Sequence, residues 1–230
     1  HPTPENSVLY ERLLKTGGGC PAARVAAQLI PRYAGHYADK MEAALNKMFD
    51  LCEDSDGTTR MHAVRGLPVL ANSFPAAAQR LAHVLVQLLE LDTSLEQANV
   101  ATALERMAAA NARATLEALF THIESGADAL RERAIAFIRD KILPARDKLL
   151  VPVDEMEKFF SDRVARVIVD DVTYAEFKSF LEMLLSLRRF SSPDSPNAVE
   201  LVDIIAKQAG LTDPAFDVFS ADSVTRFVSC

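Results

Sequence analysis

Thr16 to Arg24 reads TGGGCPAAR, and three glycines ahead of a helix start are the wording of a loop that wraps phosphate in backbone N–H groups. That chemistry also needs a Gly-Lys-Ser/Thr ending and a preceding strand, and neither is present. The run therefore reads as a turn that opens a helix. CEDSDG, Cys52 to Gly57, offers carboxylates in the manner of a calcium loop. Setting Gly57 at the sixth position puts Cys52 first and Ala63 last, where such a loop requires carboxylates. An Asp-rich turn capping the next helix is the better reading. His36, His62, His83 and His122 fall at different depths of different expected helices, with no HExxH or His-x-His spacing to gather two on one metal. Nucleophile elbows, Ser-His-Asp motifs and dinucleotide fingerprints are absent. These residues predict no catalytic site, no metal and no cofactor.

The elements that carry them follow a repeat. RVAAQLIPRYAGHY, Arg24 to Tyr37, and MHAVRGLPVLANSF, Met61 to Phe74, align 37 residues apart, pairing Ala26 with Ala63, Ile30 with Leu67 and Pro31 with Pro68. The next helices keep the offset: Leu45, Met48, Phe49 and Cys52 match Ala82, Leu85, Val86 and Leu89. A third unit places Val100 and Leu104 on the columns of Ala63 and Leu67. Its second helix then comes three residues early, through a tighter turn near Asn111, so that Leu119 and Ile123 answer Leu85 and Leu89. A fourth opens with Ala134 and Ile138, 34 residues after Val100 and Leu104.

Units of 34 to 37 residues built from helix pairs fit a tetratricopeptide or a HEAT-type array. Tetratricopeptide aromatic and glycine landmarks are missing, as is the ankyrin Thr-Pro-Leu-His. A mid-helix proline removes a hydrogen bond and costs about 3 kcal/mol in a straight helix, which bending relieves. Pro31 and Pro68 thus read as curvature devices in first helices; the alternative is two helix ends at Leu29 and Gly66. Few glycines, no tryptophan and little β-branched alternation agree with helices throughout, and ARVIVDDV, Ala165 to Val172, continues a helical pattern. After TYAEFKSFLEMLLSLRRF comes the break SSPDSPN. A helix follows, with Ser195 or Asn197 as cap and Pro196 in its first turn, and a short segment from Ala221 closes the chain. The expected fold is all-α: a right-handed α-solenoid of HEAT/armadillo-like helical repeats in one domain over 1–230. HEAT-like repeats span about 20–170 and further layers 172–230.

In such an array the second helices line a groove. Two columns there keep the repeat offsets while escaping the apolar face: Asn46, His83 and Glu117, and Asp50, Gln87 and Thr121. They are the candidate partner-binding residues. LVQLL, Leu85 to Leu89, and LEMLL, Leu181 to Leu185, fit the LxxLL docking pattern. Leu85 and Leu89 are also core columns, so docking by them would unfold a layer.

Half of the residues are apolar, enough for a core without staples, and a net charge of −7 repels a phosphate backbone. Cys20, Cys52 and Cys230, odd in number and without CxxC spacing, fit a reducing cytosolic or nuclear interior. No run approaches the ~20 apolar residues a membrane span needs. HPTPENS has no apolar leader, and the missing initiator Met implies a trimmed or engineered start.

AAQLIPRY, FDLCEDSDGTTRMHAVRGLP and LRERAIAFI, in this order, closely resemble the apoptosis inhibitor 5 family, through most of Arg24 to Ile138 and more weakly beyond Leu150. The resemblance implies a solenoid, HEAT-like first and armadillo-like after, serving as a non-enzymatic scaffold that opposes programmed cell death in the nucleus. It also implies a docking role for the LxxLL leucines Leu85, Leu88 and Leu89. Cys230 comes too early for the family's second half, its leucine-zipper-like helix, nuclear-localisation segment and Gly/Arg-rich tail, so the chain is a fragment or a shortened relative. Binding to the chromatin-condensation factor acinus, ascribed to the zipper-like region, does not carry over. The expected protein is a monomer in nucleus and cytoplasm that holds protein or peptide partners; the alternative is a nuclear RNA-associated helical-repeat factor.

Overall fold

The computed structural model describes residues 3–91, 93–125, 127–169, 172–190, 196–208 and 220–221. They are helical nearly throughout, with no strand among them. The chain divides into two compact units, His1–Ala134 and Ile135–Cys230.

In the first unit α1 (Pro4–Leu14) and α2 (Pro21–Tyr33) each begin with proline at the first helical position, where the missing N–H costs nothing. α3 (Met41–Cys52) completes the first pair after one-turn 3-10 helices at Ala34–His36 and Ala38–Lys40. α4 (Gly57–Ser73) and α5 (Ala78–Gln87) form the second pair, α6 (Ser94–Ala110) and α7 (Ala112–Ser125) the third. α2 packs on α4 and α4 on α6, forming one layer, while α5 packs on α7 in the other. α3 lies against α4, and α6 against α7, so the layers close on each other.

The repeat columns are the core. Ala26, Ala63 and Val100 are sealed, as are Ile30, Leu67 and Leu104 and, in second helices, Leu45, Met48, Ala82, Leu85, Leu119 and Ile123. Each large side chain so buried contributes about 1.5–3 kcal/mol. Phe49 alone among the matched positions is only half-buried. The expected three-residue contraction is a shorter hinge: Phe74 and the one-turn helix Pro75–Ala77 join α4 to α5, whereas Asn111 alone joins α6 to α7.

Both prolines lie inside helices, with α2 continuing to Tyr33 and α4 to Ser73, so neither Leu29 nor Gly66 is a helix end. Asp56 caps α4, its carboxylate accepting from the N–H groups of Thr58 and Thr59 at 3.4 and 3.0 Å.

α8 (Asp128–Phe137) carries the first fourth-unit column at Ala134, and the second, Ile138, follows directly after it; both are fully buried. A π-turn over Ile138–Ile142 and the short α9 (Arg146–Leu149) follow. In the second unit α10 (Val153–Val169) packs on α11 (Tyr174–Leu185) and α12 (Pro196–Gln208). The helical reading of ARVIVDDV holds as far as Val169. Thr173 and Glu176 form a reciprocal capping box on α11. Glu157 of α10, almost fully buried, accepts the N–H groups of Arg188 and Arg189 at 3.1 and 2.9 Å, which anchors the turn after α11. α12 opens at Pro196; Ser195 and 222–230 lie outside the described residues.

Candidate functional site

The glycine run and the Asp-rich turn, separate motifs in the sequence, meet in space. Gly19, with φ of 68°, donates its N–H to the Asp54 carboxylate at 2.9 Å, and the other Asp54 oxygen accepts the N–H of Asp56 at 2.9 Å. Only glycine takes that φ without strain. Arg24 then reaches Asp56 at 3.1 Å. One repeat on, Arg60 holds Glu96 at 2.7 Å and donates to the carbonyls of Asp54 and Ser55. Arg65 donates to buried Asn99 at 2.6 Å. These groups tie successive first helices together; their carboxylates are occupied by the protein itself.

On the second helices Asn46 and Asp50 of α3 and Gln87 of α5 are exposed, while His83, Glu117 and Thr121 are half-buried. All six escape the sealed core, at the repeat offsets. Arg80, one turn before His83, pairs with Glu42 of α3 at 2.9 Å across this face. Among the described residues no side-chain hydrogen bond joins the six to one another; Thr121 gives its hydroxyl to the backbone carbonyl of Glu117 at 2.8 Å.

Leu85 is fully buried, Leu89 nearly so and Leu88 half-buried. The guanidinium of Arg133 donates to the carbonyls of Leu89 and Leu91, and Gln97 donates to Leu91 at 2.6 Å. The end of the LxxLL segment is therefore pinned as well as packed.

Two features escaped the sequence. His83 Nδ1 stands 3.3 Å from His122 Nε2, α5 against α7. Burial lowers the His122 pKa, the nearby His83 lowers it further, and the Glu90 carboxylate opposes both. The second is a cleft of about 300 Å³ between α1 and α2, lined by Leu9, Tyr10, Leu13, Leu29, Tyr33 and Tyr37. Tyr10 stacks on Tyr37 with ring centres 4.4 Å apart and donates its hydroxyl to the Ile30 carbonyl at 3.2 Å, and burial raises its pKa. Among the described residues no cluster of three His, Cys, Asp or Glu side chains could hold a metal ion, and no helix is long and apolar enough to cross a membrane.

Layered helix pairs with polar columns on the second helices define an all-α helical-repeat protein. The family model described as Apoptosis inhibitory protein 5 matches residues 3–230. A rice apoptosis inhibitor 5-like protein is 36% identical over 224 residues, covering 96% of this chain and 41% of its own length. Mouse apoptosis inhibitor 5 is 35% identical over 213 residues, covering 93% and 41%. The human protein is 34% identical over 213 residues, covering 93% and 39%. The chain belongs to the Apoptosis inhibitory protein 5 family, and it spans about two fifths of the length of these curated relatives.

Proposed function

We propose that the chain is a non-enzymatic scaffold that restrains programmed cell death by holding a protein or peptide partner on the outward columns of its second helices. The observation that carries this is the contrast along α3, α5 and α7. Asn46, Asp50 and Gln87 are exposed and His83, Glu117 and Thr121 half-buried, while Met48, Leu85, Val86, Ala118, Leu119 and Phe120 between them are sealed. Polar side chains recurring at fixed spacing on packed helices offer a partner shape and charge, and set specificity more than raw affinity. The relatives' names, apoptosis inhibitors in rice, mouse and human, support the cell-death role. The chain works as a monomer, in nucleus and cytoplasm. Docking through Leu85, Leu88 and Leu89 would require α5 to leave its layer, so the columns are preferred.

Caspase activity in cells given a death stimulus tests the proposal. Expression of the chain lowers that activity, and the Asp50→Lys/Glu117→Lys variant, folded and equally abundant, does not. Equal protection by both would refute the columns as the working surface.

A further inference from the structure

Two imidazoles far apart in sequence meet across consecutive helix pairs. His83 Nδ1 is 3.3 Å from His122 Nε2, the ring centres are 5.3 Å apart, and the ring planes make 65°. Two histidine nitrogens bound at about 2.0–2.1 Å to a tetrahedral zinc ion stand about 3.3 Å apart, with their ring centres about 5.2 Å apart. A straight N–H···N hydrogen bond of the observed length would hold the ring centres at about 5.6 Å, and one bent by about 40° at the acceptor at about 5.4 Å, so the contact also fits a bent hydrogen bond. Both separations are compatible with an ion held between the two nitrogens.

We propose that His83 and His122 form a two-histidine site for a divalent transition-metal ion of the zinc class, linking α5 to α7. Imidazole nitrogen suits such ions, and both rings are half-buried, so each is positioned by packing yet reachable from solvent. The carboxylate of Glu90, felt electrostatically at His122, offsets part of the ion's charge. Two protein ligands leave the remaining positions to water or to a donor atom of a bound partner. The site is therefore labile, weaker than a structural zinc centre with four protein ligands. Because His83 is one of the outward-column residues, an ion there would stiffen the proposed binding face and add a Lewis-acidic contact point to it.

Zinc chloride titrated calorimetrically into the intact, untagged chain at neutral pH tests the site. One ion binds per chain, His83→Ala and His122→Ala each weaken that binding at least about ten-fold, and His62→Ala leaves it unchanged. Imidazole nitrogen resonances of the unmutated chain give a readout that does not depend on variant folding: zinc moves His83 Nδ1 and His122 Nε2 together. Absence of binding at millimolar zinc, or binding that leaves both rings' signals in place, overturns the proposal.

Discussion

Pro31 and Gly66 touch across α2 and α4: a Cβ on Gly66 would lie 2.7 Å from Pro31 Cγ, 2.8 Å from Met48 Cε and 3.4 Å from the carbonyl oxygen of Ala27. Ala27 is four residues before Pro31, so its carbonyl is the one that proline leaves without a helical N–H donor. The first-helix proline and the glycine of the next repeat therefore work as one feature. α4 approaches α2 at the turn where α2 has lost its hydrogen bond, and only a residue without a side chain fits there.

Gly66→Ala is the direct consequence. Alanine gains about 1 kcal/mol of helix propensity over glycine, but overpacking against a stiff proline ring costs about 1–3 kcal/mol. The variant should show a net loss of up to about 2 kcal/mol in urea unfolding. Pro31→Ala in the same chain should recover part of that loss, giving a positive coupling in the double-mutant cycle; simple additivity would show that the two residues do not share the contact.

Asp56 sets a low-pH limit on the first repeat junction. The Thr59 hydroxyl, the Arg24 guanidinium and the N–H groups of Thr59 and Thr58 hold its carboxyl down from 3.8 to about 2. A depressed folded-state pKa means that the unfolded chain binds the proton first as pH falls. The stabilisation is thus complete above about pH 4 and disappears as pH drops through about 2. Melting temperatures of the chain and of Asp56→Asn should differ at neutral pH and converge across that window. A gap that stays constant to the acid end would contradict it.

The two described cysteines should separate by reactivity. Cys52 is buried, and desolvation first, then the Glu53 charge, push its thiol up to about 12, whereas Cys20 is partly exposed. Iodoacetamide at mildly alkaline pH, mapped by peptide mass, should alkylate Cys20 in the native chain and Cys52 only after denaturant. Rapid native labelling of Cys52 would mean that α3 is not packed as described.

Leu85→Ala should cost about 2–5 kcal/mol, because a sealed core leucine leaves a cavity, and half-buried Leu88→Ala distinctly less. If the LxxLL segment docked a partner from the native fold, Leu88→Ala would weaken binding while its stability held, and Leu85→Ala would weaken binding beyond its loss of stability. The expected result is that any binding defect in Leu85→Ala tracks its loss of thermal stability.

The helix pairs were legible because each unit buries the same positions: Ile30, Leu67 and Leu104 keep their offsets and all are sealed. The shortened third hinge was visible as a shift of register among the apolar residues, and the cap at Asp56 in its residue type. Contacts between repeats were not legible. His83 aligns with Glu117 in the repeat register and His122 lies five residues further on, so the column alignment gives no sign that the two rings meet. The grip of Asp54 on Gly19 joins two turns, where no periodicity exists to reveal a partner. The aromatic cleft escaped because α1 precedes the first repeat, so Leu9 and Tyr10 match no column.

Site-specific photo-cross-linking tests the central claim most directly. Benzoylphenylalanine placed at Asp50 or Gln87 on second helices, and at exposed Val69 on a first helix, is activated in living cells and the adducts are resolved by mass. The scaffold account predicts the same discrete partner captured from Asp50 and Gln87 and none from Val69. Capture from Val69 with Asp50 and Gln87 silent would contradict it.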